Sequence, residues 1–297
     1  MGDRLTSTRG YSLPKVLDRP SVAFLLSALA TAGAGVCAGE MLIWFRGGAW
    51  PSHDAIAFWL AGQHLVEGAP VYGGDPVFLA FRYAPPWAVV LAALSWLDPY
   101  LFVILLLGAQ VLALRYVTGS WRVAGLVAWL PIVPIELASG NVDILMAAVV
   151  LASLRDRPGS GAPAALFALA KFSPVLVVRR WREAIAAGVV LLLITLPWLH
   201  LWPEWWTRLL STPSTLPTWL PLLPRVPVIV VLMAVRRRWA TAAAAGLATP
   251  AFYFHSLVLL LPAVRIALED RAMARTGDHP AVAGARAGVA DAGAEGE

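Results

Sequence analysis

The sequence predicts an all-α, polytopic transmembrane helical bundle. At about 30 residues per pass with its loop, it has room for about 8–10 membrane segments. Three observations carry that expectation. Of 297 residues, 59% are hydrophobic and only 14% charged, where a soluble domain has about 25% charged residues. Mean hydropathy is +0.70, and a soluble fold this apolar exposes more apolar surface than water tolerates. The apolar residues come in runs, and a bilayer core of about 30 Å takes about 20 of them per helix. These features exclude a soluble enzyme, a disordered regulator and a secreted disulfide scaffold. The expected organisation is a cytoplasmic segment 1–20, a membrane domain 21–269 and a disordered cytoplasmic tail 270–297.

The formal net charge is +5. The arginines sit in short clusters between apolar runs, as in cytoplasmic loops, so no nucleic-acid partner is expected. The single cysteine, Cys37, lies in the first apolar run and forms no internal disulfide. Residues 1–20 are polar and basic, and 21–45 are apolar apart from Glu40. That run exceeds the roughly 7–15 apolar residues of a signal peptide, so an uncleaved first helix is expected.

Arginine alone orients the rest. Placing Arg115 with Arg122, Arg155 with Arg157, Arg179–Arg182, Arg236–Arg238, and Arg265 with Arg271 and Arg275 inside fixes the passes. The first helix (21–44) runs outward, and 46–83 form an outside loop. The run 85–97 is too short for a span and reads as an interfacial or re-entrant helix. Residues 100–114 return inward, 123–138 go out and 141–154 come in. Segment 162–178 is bounded by arginines and broken by Lys171 and Pro174, which suits a re-entrant pair. Residues 183–201 go out, 219–235 come in, 239–252 go out and 254–268 come in. The Ala- and Gly-rich tail after Arg271 is expected to be disordered. The expected location is the plasma (inner) membrane, multi-pass, with a cytoplasmic N-terminus.

This topology leaves nearly every isolated polar residue outside: His53, Asp54, Asp75, Arg82, Tyr83, Asn141, Asp143, Lys171, His200, Glu204 and His255. Nothing in the arginine rule required that. No nucleotide loop, zinc spacing or serine elbow occurs. His53 and Asp54 are neighbours, and neighbouring side chains point apart in a regular element. No metal and no cofactor are expected.

The stretch 52–72 is the most informative. Ser52 is placed to cap a helix that ends near Gly68, and its apolar residues Ile56, Phe58, Trp59, Leu60 and Leu65 suit a helix on the membrane surface. Asp54 falls in its first turn, where it serves the helix dipole or chemistry. Arg82, before Tyr83 and the helix-starting Pro85-Pro86, binds a phosphate or snorkels to headgroups. Asn141 and Asp143 either cap the next helix or join the site. Lys171, in a broken apolar segment, needs a partner or a task. His255 follows an aromatic stretch at the start of the last helix and is structural or functional. Trp198, Trp202, Trp205, Trp206 and Trp219 crowd one outside loop, as a membrane belt or a grip on a lipid chain or sugar face.

In this order the pieces resemble the GT-C superfamily of integral-membrane glycosyltransferases, and most nearly the polyprenol-phosphate-mannose-dependent glycosyltransferase family 87. The Asp after the first helix, followed by Ala-Gly and a Gly-to-Tyr step, is similar to Asp54, Ala61-Gly62 and Gly68 to Tyr72. A Tyr-Pro-Pro-like motif resembles Tyr83-Ala84-Pro85-Pro86, with one extra residue. A Gly-Gln-x-Asn motif resembles Gly140-Asn141-Val142-Asp143, which reads Asn-x-Asp. A Lys-x-x-Pro step with a basic stretch resembles Lys171–Pro174 and Arg179–Arg182, and a late His beside aromatics resembles Phe254-His255. The likeness spans about residues 20–268, in a chain short for that family.

The resemblance implies an inverting transfer of a hexose, mannose first among candidates, from a polyprenyl-phosphate donor to a lipid or glycan acceptor. It implies Asp54 as the base and a lipid-phosphate and substrate site drawn from Arg82, Tyr83, Asn141, Asp143, Lys171 and His255. The partners implied are the lipid-linked donor, the glycolipid or glycan acceptor and membrane lipids. A non-catalytic membrane subunit and a flippase of lipid-linked sugar are the alternatives.

Overall fold

The computed structural model describes residues 52–73, 80–211, 221–250 and 252–276. The first apolar run, Asp75 and Trp219 lie outside the described residues. What is described is all-helical: α1 (His53–Glu67), α2 (Pro85–Ala92), α3 (Pro99–Thr118), α4 (Trp121–Val127), α5 (Ile132–Ser139), α6 (Asp143–Leu154), α7 (Gly161–Lys171), α8 (Trp181–Ile194), α9 (Leu201–Ser211), α10 (Leu222–Ala234), α11 (Arg238–Leu247) and α12 (Leu261–Thr276). Short 3₁₀ segments cover Ser173–Val177, Leu196–Trp198 and Phe254–Leu260.

Among the described residues, α3 alone is long and apolar enough to cross a bilayer. A second span results if α4 and α5, bent by 90° at their break, count as one. The expected run 123–138 is cut into α4 and α5, the break expected after Lys171 ends α7, and α6, α7 and α10 are each shorter than a full span. The cuts fall where the backbone favours them: Pro131 before α5, Gly140 after it, and Phe172 with Ser173-Pro174 after α7. The last helix runs to Thr276, through Arg271 and Arg275, so the expected tail is helical that far.

The helix at 53–67 has the expected bounds but not the expected setting. Ala55, Ile56, Phe58, Ala61 and Leu65 are buried, so its apolar residues pack inside the chain instead of facing lipid. It lies against α2 so closely that a Cβ on Gly62 would stand 2.7 Å from the Leu91 backbone carbon and oxygen. Trp59 Nε1 donates to the Leu97 carbonyl at 2.9 Å, tying the same helix to the turn before α3. Ser52 does not cap it: its backbone is left-handed (φ 62°) and its side chain makes no cap hydrogen bond.

Helices α6 and α7 set the frame. Each has one end in a layer with Asp54 and the other in a layer of arginines. At the arginine end, Glu183 accepts from the Gly161 N–H at 3.1 Å and pairs with Arg180 at 3.0 Å. Arg180 also pairs with Asp156 at 3.0 Å. Arg155 pairs with Glu269, which takes Arg265 Nε at 2.7 Å, and Arg265 donates to the Thr118 carbonyl that ends α3 at 3.0 Å. The outward surfaces of α3, α8 and α10 are apolar, with Leu112 and Val231 each 63% exposed.

Candidate functional site

Four helix ends and one 3₁₀ segment meet in the layer opposite the arginines. Asp54 stands in the first turn of α1, Glu136 in the last turn of α5, Asp143 first in α6, Lys171 last in α7, and His255 in the segment before α12. Helix ends gather polar groups because their own backbone groups need partners. Here they also gather buried charge: Glu136 and Asp143 are fully buried, and Lys171 is 7% exposed.

Gly140 makes the approach of α1 and α5 possible. Its φ of +70° is left-handed, and a Cβ there would stand 2.6 Å from Ala55 Cβ. That contact brings Asp54 beside the turn carrying Asn141. The Ser139 hydroxyl donates to the Glu136 carbonyl at 2.9 Å and accepts from the Asn141 N–H at 3.3 Å. Asn141 Oδ1 accepts from the Val142 N–H at 2.7 Å and from the Tyr83 hydroxyl at 3.3 Å. Asn141 does not cap α6 as expected, since the N-cap is Val142 and makes no side-chain cap hydrogen bond, but it joins the segment before α2 to the turn before α6.

Glu136 Oε1 accepts the first N–H of α6, that of Asp143, at 2.7 Å. Asp143 Oδ1 is paired with Lys171 Nζ. Lys171 closes α7 directly before Phe172, whose φ of +56° is left-handed for a bulky side chain. Such backbone strain costs about 1–3 kcal/mol and persists where the surroundings enforce it. Lys171 therefore enters the site as half of an ion pair, and an anionic ligand reaches it only in competition with Asp143. His255 stacks on Tyr253 with ring centroids 5.4 Å apart. Its Nε2 stands 3.6 Å from Glu136 Oε2. Neither atom makes a hydrogen bond, and Asp143 Oδ2 makes none either. Native proteins rarely leave such buried atoms unmatched.

Asp54 differs from the other carboxylates in access. Its side chain is 33% exposed, and His53 Nε2 lies 3.5 Å from its Oδ1. The neighbours expected to point apart thus meet at the start of the helix. Burial raises the proton affinity of Asp54, with Asp143 adding to it, while the cations of His53, Lys171 and Arg82 oppose. The Tyr83 phenol is raised as well, chiefly by burial. Tyr83 packs on Phe58 at 5.2 Å and on Trp87 at 5.6 Å between centroids. Arg82 acts on Asp54 through its charge, and its carbonyl accepts from Trp205 Nε1 at 3.1 Å. Trp205 of the tryptophan loop is thereby part of the scaffold. His200 and Glu204 are exposed, apart from the buried layer.

Glu136 is the residue that sequence reasoning missed. It sits inside the apolar run 123–138 and was absorbed into a span, although a carboxylate there is costly unless it has work. Arg225 was missed for the same reason. It is 1% exposed, and its guanidinium donates to carbonyls of Pro221, Leu247, Thr249 and Pro250. Among the described residues no group of three or more His, Cys, Asp or Glu is arranged to hold a metal ion. No family model matches this chain, and no curated protein or solved structure is detectably similar to it.

Proposed function

We propose that the chain is a polytopic membrane glycosyltransferase that moves a hexose from a polyprenyl-phosphate donor to a hydroxyl of a lipid or glycan acceptor at the outer face of the plasma membrane. The observation that carries the reading is the layer of helix ends. A partly open carboxylate, Asp54, faces a buried set of Asp143, Lys171, Glu136 and His255, under helices whose outward faces are apolar. Polar groups within and apolar groups without suit a chain solvated by lipid. The order of motifs described above points the same way.

In this reading the acceptor hydroxyl approaches Asp54, which takes its proton as the bond to the anomeric carbon forms. A base works best with a pKa raised toward the working pH, and burial moves Asp54 in that direction. The departing lipid phosphate needs positive or donating groups as charge gathers on it. Arg82 and His255 supply these directly, while Lys171 holds Asp143 and offsets its charge. Tyr83 and Asn141 fix the turn that aligns them. The lipid tail lies along the exposed apolar faces.

The flippase alternative calls for polar groups at mid-depth on several helices. The charged groups of this layer instead sit at helix ends. The deciding experiment supplies a radiolabelled polyprenyl-phosphate sugar to the full chain in vesicles and follows both transfer to an acceptor and movement of donor across the bilayer. The reading expects transfer, with a loss of about 10²–10⁴-fold in Asp54→Asn at matched protein levels. Movement without transfer makes it a flippase. Neither activity leaves the subunit reading.

A further inference from the structure

The buried layer contains a charge imbalance. Asp143 and Lys171 cancel as a pair, but Glu136 is fully buried with no cation of its own. An uncompensated carboxylate at that depth costs far more than a proton. The group nearest its spare oxygen, Oε2, is His255 Nε2 at 3.6 Å, and both atoms lack hydrogen bonds. A shift of about half an ångström brings them to hydrogen-bond distance. Glu136 Oε1 is fixed by the Asp143 N–H at 2.7 Å, so its carboxyl group holds Oε2 toward the histidine.

We propose that Glu136 and His255 hold one proton between them and that this pair is the proton donor to the departing phosphate. This deepens the transferase reading and rests on it. With the pair protonated, Glu136, His255, Asp143 and Lys171 sum to zero charge, which suits a layer closed to water. Glu136 occupies the Nε2 side of the ring, which leaves Nδ1 for a ligand. Glu136 is thus a positioning residue, acting through His255.

The step balances. The bond between the anomeric carbon and the phosphate oxygen breaks, and its electron pair stays on that oxygen. The bond from acceptor oxygen to anomeric carbon forms. The acceptor proton goes to Asp54, and the proton of the pair goes to the phosphate. The lipid leaves as a phosphate monoanion, and the Asp54 proton restores the pair through solvent. Around the pair stand Asp143 on α6, Lys171 on α7, His53 and Asp54 on α1, Tyr83 before α2 and Tyr253 stacked on the ring. Of these, Asp143 and Asp54 favour keeping the proton, and Lys171 and His53 oppose it.

The test uses the full chain in lipid nanodiscs. Glu136→Gln keeps an oxygen for the Asp143 N–H, so the fold is retained, and Glu136→Asp keeps the charge. Nitrogen NMR of labelled histidine follows the ring of His255, identified by the signals lost in His255→Gln. The pH midpoint of the ring is read in the wild type and in each variant. In Glu136→Gln the midpoint falls by about one pH unit or more, and Glu136→Asp restores part of it. An unchanged midpoint overturns the pair whatever the transfer assay gives. A shifted midpoint in a protein that transfers no sugar keeps the pair and overturns its role in transfer. In an active protein, Glu136→Gln lowers kcat about 10²-fold with little change in donor KM. The double variant with His255→Gln is no worse than the poorer single one. Losses that multiply overturn the shared role.

Discussion

At the C-terminal end of α6, Arg155 meets Glu269, which also takes Arg265, while Arg265 caps α3 through the Thr118 carbonyl. At its N-terminal end, about 18 Å away for twelve residues, Asp143 and Glu136 divide one lysine. There each keeps a carboxylate oxygen with no hydrogen-bond donor. The first end is closed, since each charge has a partner and the partners finish helices. The second has capacity left over. Arg225 makes the same point, because it is as buried as Lys171 yet is spent on four backbone carbonyls. In the proposed reading, burial of a charge therefore does not by itself mark the site, whereas unsatisfied atoms beside a partly open carboxylate do.

The largest effect on stability is expected from breaking the ion pair at the open end. Lys171→Met leaves Asp143 buried and alone, and such a loss costs about 3–5 kcal/mol. Denaturant unfolding in detergent micelles measures it. Asp143→Leu added to Lys171→Met recovers much of the stability, because an apolar pair of that size tolerates burial. Recovery of stability without recovery of transfer sharpens the contrast, since it separates holding the fold from doing the chemistry. An unchanged midpoint in Lys171→Met breaks it.

The smallest effect belongs to the closed end. Glu269 is 15% exposed and shared by two arginines. Partly exposed pairs of this kind are worth about 1 kcal/mol or less each. Glu269→Gln is expected to lower unfolding stability by about 1–2 kcal/mol, less in high salt, and to leave sugar transfer at the wild-type rate. Loss of transfer in this variant would dissolve the distinction between the two ends.

Much of the open end was legible in the sequence. Asp54, Tyr83, Asn141, Asp143, Lys171 and His255 stood out as isolated polar residues that the arginine clusters left on one side, and the structure gathers them. The break after Lys171 was legible because Pro174 cannot continue a helix. Glu136 was not, because only the three-dimensional turn at Gly140 shows that it faces Asp143. The setting of α1 was hidden as well. Its apolar residues fit a lipid-facing helix and a packed one equally, and Gly62 against the Leu91 backbone decides for packing. The run 123–138 was read as one span, because hydropathy sums across the bend between α4 and α5, while α3 is longer than the expected 100–114.

The most direct measurement is the pH profile of kcat/KM for sugar transfer, taken for the wild type, Asp54→Asn and Glu269→Gln at matched levels. In the proposed mechanism Asp54 is a base and works only when ionised, so the rate is expected to fall as pH drops through its pKa. Burial raises that pKa, and the acid limb is therefore expected above the ordinary carboxylate value of about 3.9. The account predicts such a limb in the wild type and in Glu269→Gln, and no measurable transfer in Asp54→Asn. Wild-type transfer by Asp54→Asn, or an acid limb at the ordinary carboxylate value, would contradict it.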